Sequence, residues 1–333
     1  MKVVIFELEE WERDHVQQLS DQHQVTALSE PLTAENAADH SDAEVVSTFI
    51  YSELTEEVIG KLQSLKLIAT RSTGVDHIPI DACERRGVKV CNVPSYGSNT
   101  VAEHVFGLLL TISHKLDRAI DRTRKGDFSP RGLQGFDLRG KTMGVVGTGD
   151  IGRETIRIAK GFRMEVVAFD VKPDEAAADE MGFAYADMDD LLSRSDVVSL
   201  HVPSNEKTRH LISDEQFEKM KHGAVLINTS RGPLVDTKAL LRALSEGKVA
   251  AAGLDVLPEE PVIREEAELL RSVFEERHNL DTLLADHVLV NMRNVVVTPH
   301  SAFNTREAVQ RILDTTAENI RKFAEGEPQN LVA

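Results

Sequence analysis

The stretch KTMGVVGTGDIG, Lys141–Gly152, carries an apolar run at Met143–Val146 and then glycines at 147, 149 and 152. Ile156, Ile158, Ala159 and Phe162 follow with the spacing of an amphipathic helix. Strand, G-x-G-x-x-G and helix in that order form the phosphate-binding turn of a dinucleotide site. Gly147 permits the tight turn, Gly149 lets the backbone approach a pyrophosphate, and Gly152 lets helix and strand pack closely. Asp150 and Ile151, at the start of the helix, present backbone N–H groups and the positive end of its dipole to the anion.

The next expected strand, Glu165–Phe169, leads to Asp170, about twenty residues past the glycines, where this fold holds the ribose. A carboxylate there accepts hydrogen bonds from the ribose hydroxyls and repels the extra phosphate of NADP, so the cofactor read from this unit is NAD. A solvated turn aspartate is the plain alternative, and Lys172 softens the preference.

Working outward, short apolar runs alternate with helical segments almost throughout. Strands are expected at Val3–Phe6, Val45–Ile50, Leu67–Ala69 and Val88–Cys91, with an amphipathic stretch at Thr55–Leu65. A second series follows Met143–Val146 and Glu165–Phe169: Val197–Leu200, Ala224–Ile227, Ala251–Leu254 and Val295–Val297. Near-continuous apolar strands separated by helices describe parallel sheets covered on both faces. The expected fold class is therefore α/β, with two doubly wound parallel-sheet (Rossmann-like) domains separated by a cleft. Val101–Ile112 is apolar almost all round and should be a buried helix, between domains or subunits. Ala308, Val309, Ile312, Leu313, Ala317, Ile320 and Phe323 recur at helical spacing, and this last helix is expected to return to the first domain. The expected division is 1–99 plus 302–333 against 100–301.

Composition limits the partners. The 55 acidic and 38 basic residues give a net charge of −17, which disfavours nucleic-acid and anionic-membrane surfaces. An anionic substrate then needs a local positive site. No apolar run reaches the ~20 residues of a membrane-spanning helix, and MKVVIFELEE reads as a first strand rather than a signal peptide. Cys83 and Cys91, without a metal-like cluster, suggest no metal and no disulfide framework, and fit a cytoplasmic, reducing location.

The cofactor unit specifies a nucleotide, not a reaction. Three later segments, NTSRGPLVD (228–236), GLDVLPEEP (253–261) and TPHSAF (298–303), follow the glycine motif in order. With RSTGVDH (71–77) and TVAEH (100–104) before it, they resemble the D-isomer-specific 2-hydroxyacid dehydrogenase family over nearly the whole chain. The resemblance implies a small 2-oxo or 2-hydroxy acid substrate, NAD as hydride carrier, a flavodoxin-like substrate-binding domain (1–99 plus 302–333) and an NAD-binding domain (100–301).

It places the catalytic trio on Arg231, Glu260 and His300. Delivering hydride to a carbonyl carbon leaves charge on its oxygen, which needs a proton. An imidazolium at His300 can donate that proton, and a carboxylate beside it favours the charged ring and orients it. Arg231 can hold the substrate carboxylate while polarising the carbonyl. Glu259 is the adjacent rival, but the family uses the position directly before Pro261. Bland alternatives are a helix-start role for Arg231 paired to Asp236, and a surface Glu-Glu pair at 259–260.

By the same resemblance, His201, Val202 and Pro203 line the adenine pocket, and Asp255 holds the nicotinamide side. Thr208, Thr229 and Ser230 complete the cofactor contacts. Backbone N–H groups in the loop Ser72, Thr73, Gly74 and Val75 bind the substrate carboxylate, though a strand-to-helix turn explains Gly74 equally well. Tyr96 and Phe303 resemble the substrate-facing aromatics of the D-lactate dehydrogenase branch, whereas Asn304 departs from the tyrosine often found after that phenylalanine. The helical-looking Arg264–Arg277 lies in the roughly forty residues between Glu260 and His300, a lactate-branch-like spacing that an inserted surface helix also explains. Pyruvate to D-lactate is the expected reaction. Glyoxylate or hydroxypyruvate, longer 2-oxo acids and phosphite are alternatives, as is an NAD-sensing corepressor-like binding protein. Phosphoglycerate would want more basic residues than Arg71 and His77. A homodimer is expected from the apolar helix after Thr100, and His104 on that helix reads as structural.

Overall fold

The computed structural model describes residues 1–75, 77–258 and 280–333, with the side chains of 280–284 excepted. Glu259, Glu260, Asp76 and the segment Arg264–Arg277 lie outside the described residues. The chain forms two compact units, Met1–Tyr96 with Asn304–Ala333, and Gly97–Phe303.

In the first unit, β1 (Lys2–Ile5), β2 (Gln24–Ala27), β3 (Val45–Thr48), β4 (Leu67–Thr70) and β5 (Lys89–Cys91) form a parallel sheet in the order β2-β1-β3-β4-β5. This is the flavodoxin-like order, with its switch point between β1 and β3. Alternation along each strand sends Val4, Val46, Ile68 and Val90 to one face. They share a core with Val58, Ile59 and Leu62 in and just after α2 (Glu56–Lys61), and with Cys83 of α3 (Ile80–Arg85). The short α1 (Arg13–Val16) and the C-terminal helix, Arg306–Ala324, pack together, and that helix also meets β4. It buries Ala308, Val309, Ile312, Leu313, Ala317 and Ile320, while Phe323 is only half-buried. Thr305 caps it by accepting from the Ala308 N–H, a contact worth about 1 kcal/mol. The exposed edge of β5 is closed by the chain end: Val332 N–H donates to Val90 O and Val90 N–H to Ala333 O.

The second unit holds β6 (Thr142–Val146), β7 (Glu165–Phe169), β8 (Ala184–Tyr185), β9 (Val197–Leu200), β10 (Ala224–Asn228), β11 (Val249–Leu254) and β12 (Val295–Val297). Its parallel order is β12-β11-β10-β9-β6-β7-β8. Counted from β6, this is the doubly wound nucleotide-binding order, extended by a seventh strand and reversing between β6 and β9. One face packs Met143, Val145, Val166, Val197, Val225 and Ile227 against α4 (Ser98–His114) and α6 (Asp150–Gly161). The other packs Val146, Val198, Leu200, Leu226 and Leu254 against α8 (Met188–Arg194), α9 (Asp214–Lys219) and α10 (Thr237–Ser245). α5 (Leu116–Arg124), α7 (Glu175–Met181) and α11 (Leu280–Asn291) complete the described helices of this unit.

Two expectations are corrected. β2 and β8 were not anticipated; both run along sheet edges and are half-exposed, so neither shows a continuous apolar run. The strand expected over Val45–Ile50 ends at Thr48, because the Glu7 carboxylate captures the N–H groups of Phe49 and Tyr51 and the Ser52 hydroxyl. α4 buries Val101, Ala102, Val105, Phe106, Leu108 and Leu109, while Leu110, Thr111 and Ile112 are half-buried in the single chain.

Candidate active site

In a parallel sheet every strand delivers its following loop to the same edge, and ligands bind there, at the switch point. Five inter-strand steps, about 24 Å at ~4.8 Å each, separate β12 from β7 along that edge. The loops met in turn begin at Thr298, Asp255, Thr229, His201, Gly147 and Asp170. All of the site residues expected in this unit and described are therefore gathered on one edge, or, for Phe303 and Thr208, in the segments that follow it.

At the switch point the glycines have separate steric causes. Gly147 has φ +98, and a Cβ there would lie 2.4 Å from His201 O. A Cβ on Gly152 would lie 2.0 Å from Gly147 O, so the turn and α6 can close only without it. Gly149 is different: a Cβ there would meet nothing within 4 Å. Protein packing does not require that glycine, and its bare backbone keeps the start of α6, at Asp150 and Ile151, open to a phosphate.

Asp170, just past β7, turns back onto this loop. Its Oδ2 accepts from Thr148 N–H at 2.7 Å and from Thr148 Oγ1 at 2.9 Å, while Oδ1 accepts from Lys172 N–H at 2.9 Å. Burial would raise its carboxyl, but these bonds from Thr148 and Lys172 hold it below the usual carboxylate range. Oδ1 keeps acceptor capacity for a hydroxyl. Thr148 and Tyr185, whose hydroxyls lie 2.8 Å apart, were missed by sequence reasoning. They orient the carboxylate, and the only hint was a threonine at a variable position of the motif. Arg153 reinforces the same loop, donating to Thr148 O and to Asp174.

On β9's loop, His201 Nε2 lies 2.9 Å from Ser199 Oγ, and Nδ1 is buried without a partner among the described residues. Burial pushes this imidazole down to about 3, so the ring is neutral. Val202 is half-buried beside Gly147, whereas Pro203 is exposed. The Thr208 hydroxyl donates to Pro203 O and accepts from Asn205 N–H, which folds this loop on itself. Beyond β10, Thr229 Oγ1 is buried and unpartnered among the described residues, and Ser230 Oγ donates to Leu200 O. Open backbone at Gly149, two orphaned polar atoms and a partly satisfied Asp170 make an edge that fits a dinucleotide.

Arg231 follows in a tightly clamped turn. Its carbonyl accepts from Asn228 Nδ2 at 2.9 Å and its Nη1 donates to Ser230 O at 2.8 Å. The next residue, Gly232, lies so close to the segment after β11 that a Cβ would be 2.2 Å from the Leu257 carbonyl carbon. The sequence immediately ahead of Glu260 is thus packed on the Arg231 turn.

Asp255, one residue past β11, is 0% exposed. Its Oδ1 accepts from Thr298 Oγ1 at 2.5 Å and Ser301 N–H at 2.9 Å, and its Oδ2 from Ala302 N–H at 2.9 Å. Burial would raise its carboxyl, but the bonds from His104, Thr298, Ala302 and Ser301 keep it below its ordinary value. His300 N–H donates to Asp255 O and Thr298 O, both at 2.9 Å, and His300 takes the left-handed φ of +50. Asp255 therefore grips the turn that carries His300 from both sides. A nicotinamide contact is open to it only through Oδ2, which accepts a single bond.

The remaining expected residues belong to the first unit. Ser72–Val75 follow β4 and are pinned to the segment after β5: Val93 N–H donates to Ser72 O, Thr73 Oγ1 to Val93 O and Asn92 Nδ2 to Thr73 O. Ser72 Oγ donates to Gly74 O. The N–H groups of Gly74 and Val75 donate to no acceptor among the described residues. Tyr96 is half-buried, and its carbonyl accepts from Arg311 Nε. Tyr96 ends the first stretch of its unit, and Phe303 closes the other unit. Among the described residues no group of three or more His, Cys, Asp or Glu side chains is placed to hold a metal ion.

A doubly wound dinucleotide unit whose sheet edge also presents an arginine and an imidazole has the parts of a hydride-transferring dehydrogenase. Residues 106–302 match the model of the D-isomer specific 2-hydroxyacid dehydrogenase NAD-binding domain. The chain is 36% identical to D-lactate dehydrogenase of Escherichia coli over the full length of both proteins, and the apo structure of that enzyme superposes with a TM-score of 0.85. D-Lactate dehydrogenase of Aquifex aeolicus, complexed with NAD and lactic acid, is 35% identical, with a TM-score of 0.83 over 98% of this chain and 96% of that one. Glyoxylate reductase of Thermococcus litoralis is 36% identical over 87% of this chain and 84% of its own. The chain belongs to the D-isomer specific 2-hydroxyacid dehydrogenase family: it is an oxidoreductase acting on CH–OH groups, with NAD as its cofactor.

Proposed function

We propose that the chain reduces a small 2-oxo acid to the D-2-hydroxy acid with NADH, and that pyruvate to D-lactate is its reaction. The observation that carries the chemistry is the succession of Arg231, Asp255 and His300 at the ends of adjacent strands, with His300 held in a strained, fully bonded turn. NAD, when bound, supplies or takes the hydride. His300 gives the carbonyl oxygen its proton in reduction and takes it back in oxidation. Arg231 holds the carboxylate and draws electron density from the carbonyl. Glu260, by the family pattern, is the carboxylate that pairs with the imidazole and orients it. In the first unit, the Gly74 and Val75 N–H groups, which have no acceptor among the described residues, are the candidate receivers of a carboxylate.

Two points narrow the substrate. Arg71, the cation nearest the Ser72–Val75 loop in sequence, is 3% exposed and donates inward to Phe6 O and Glu7 O, which makes it a poor receiver for a phosphate. The two relatives named as D-lactate dehydrogenases match over nearly their whole length, whereas the glyoxylate reductase matches over less. The test is NADH oxidation over pyruvate, longer 2-oxo acids, glyoxylate and phosphonooxypyruvate, with phosphite supplied in reverse. Pyruvate is expected to give the highest kcat/KM. A single methylene is worth only ~1–3 kcal/mol, so its near homologues should follow within about two orders of magnitude. A higher value for glyoxylate or phosphonooxypyruvate overturns the assignment.

NAD is preferred over NADP through Asp170. Asp170→Ala removes a charge from the ribose side and frees the Thr148 N–H and hydroxyl for a phosphate. The ratio of kcat/KM for NADPH to that for NADH should rise by at least about tenfold, corresponding to ~1.4 kcal/mol of relieved repulsion. An unchanged ratio would mean that Asp170 does not face the ribose.

The working form is a homodimer. α5 buries none of its residues within the unit, leaving Leu116 and Ile120 exposed, and Phe128 just beyond it is 81% exposed. Such apolar surface beside the half-buried face of α4 suits a second copy; a monomer mass by light scattering would count against it. A cytoplasmic location accords with two buried free thiols, Cys83 and Cys91.

A further inference from the structure

His104 sits on α4, nearly two hundred residues ahead of the turn that carries His300, yet its ring ends at that turn. Nε2 lies 3.0 Å from Thr298 Oγ1 and 3.3 Å from Asp255 Oδ1. A hydroxyl has one proton, and Thr298 donates its own to Asp255 Oδ1. Thr298 can therefore only accept from the imidazole, which assigns the hydrogen to Nε2 and directs it between the hydroxyl and the carboxylate. The Asp255 carboxylate then holds donors from three separate elements: α4 through His104, the end of β12 through Thr298, and the following turn through Ser301 and Ala302.

We propose that His104 is a positioning residue for His300: it locks the Thr298–Asp255 pair, and through that pair the turn that aims the imidazole at the substrate carbonyl. The proposal rests on the acid–base role given to His300 above. The turn needs such a lock because His300 occupies a left-handed conformation that costs an L residue about 1–2 kcal/mol. The bonds that hold it converge on Asp255, whose carboxylate has no solvent to replace a lost donor. Without His104, the carboxylate can turn toward other donors, and the Ser301 and Ala302 anchors shift with it. Displacements near 1 Å at a reacting group cost about 10²-fold in rate. His104 hydrogen-bonds neither the glycine turn nor Asp170, so the affinity supplied by the adenosine and pyrophosphate end of the cofactor should be spared.

The test compares His104→Leu, which keeps bulk but has no donor, with His104→Gln, whose amide can donate from nearly the place of Nε2. For the best substrate of the panel, kcat of the leucine variant should fall about 10- to 100-fold, with KM and the NADH Kd within about twofold. The glutamine variant should recover to within about threefold of the parent. Thr298→Val, which removes the hydroxyl that the imidazole meets, should reproduce the leucine signature and serves if His104→Leu does not fold. In a His300→Ala background, His104→Leu should change the residual rate less than about twofold, because two residues acting as a unit are not additive.

Parental kcat in His104→Leu overturns the proposal, as does equal impairment of the leucine and glutamine variants, or an additive loss in the His300→Ala background. If Thr298→Val is the arm that reports, parental kcat there overturns it equally. If His300→Ala itself turns over at the parental rate, the acid–base reading fails and this proposal falls with it. If His300→Ala collapses while His104→Leu does not slow the enzyme, only the proposal for His104 falls.

Discussion

His300→Ala should bind NADH as tightly as the parent chain and reduce its 2-oxo acid about 10³-fold more slowly, the middle of the range for loss of a general acid. The separation of the two effects follows from where the contacts lie. The residues proposed to hold the pyrophosphate, ribose and adenine follow β6, β7, β9 and β10, whereas His300 follows β12 at the end of the sheet. Its N–H bonds to Asp255 O and Thr298 O are made by backbone, and alanine retains them. Alanine is also an L residue at φ +50, so the strain changes little and the melting temperature should move by no more than ~2–4 °C. Titrating NADH by fluorescence and following a single turnover in stopped flow separates binding from chemistry. Equal turnover in variant and parent would remove His300 from the reaction.

The part of this arrangement that sequence could show is the part built from continuous runs. β6, β9, β10 and β12 are buried or half-buried apolar segments, and each ends at a motif whose residue types already suggested its work. Strand order puts those motifs side by side, and parallel sheets with helical crossovers admit few orders. Edge strands β2 and β8 escaped because half-exposed residues such as Gln24 and Thr26 carry no periodic signal. The early end of β3 escaped because its cause is Glu7, a residue 42 positions from Phe49 that reaches the strand end only after folding.

The same reason hid the support around His300. The apolar stretch Val101–Ile112 with its single histidine reads as core, and nothing local to His104 announces that its acceptor is 194 positions away. The family resemblance assigns Asp255 to the nicotinamide side of the cofactor. Its buried carboxylate also meets four donors, the side chains of His104 and Thr298 and the N–H groups of Ser301 and Ala302, a role that no local pattern announces. Thr148 is a parallel case, since the motif points to Asp170 but not to the threonine that holds its carboxylate. Motifs record the groups that face a ligand; the groups that hold them are recorded only in tertiary contacts.

Arg231→Lys should lower kcat/KM for the 2-oxo acid by about 10²- to 10³-fold, with both a higher KM and a lower kcat, and leave the NADH Kd within about twofold. Charge is conserved by this change, so any loss reports geometry. A guanidinium can meet a carboxylate with two parallel N–H bonds and still direct a donor at the neighbouring carbonyl, whereas an ammonium is a compact, strongly hydrated point charge. The backbone should not move, because Asn228 holds the Arg231 carbonyl and Gly232 is wedged against Leu257, neither of which depends on the side chain. The chain's net charge of −17 sharpens the expectation, since an anionic substrate approaches an acidic protein and depends on a fixed local cation rather than on the general field. Oxamate, which presents a carboxylate beside a carbonyl but accepts no hydride, should bind the NADH complex of Arg231→Lys at least about tenfold more weakly. If the lysine variant keeps kcat/KM within about threefold of the parent, a bare positive charge suffices at this position and the bidentate role given to Arg231 is wrong.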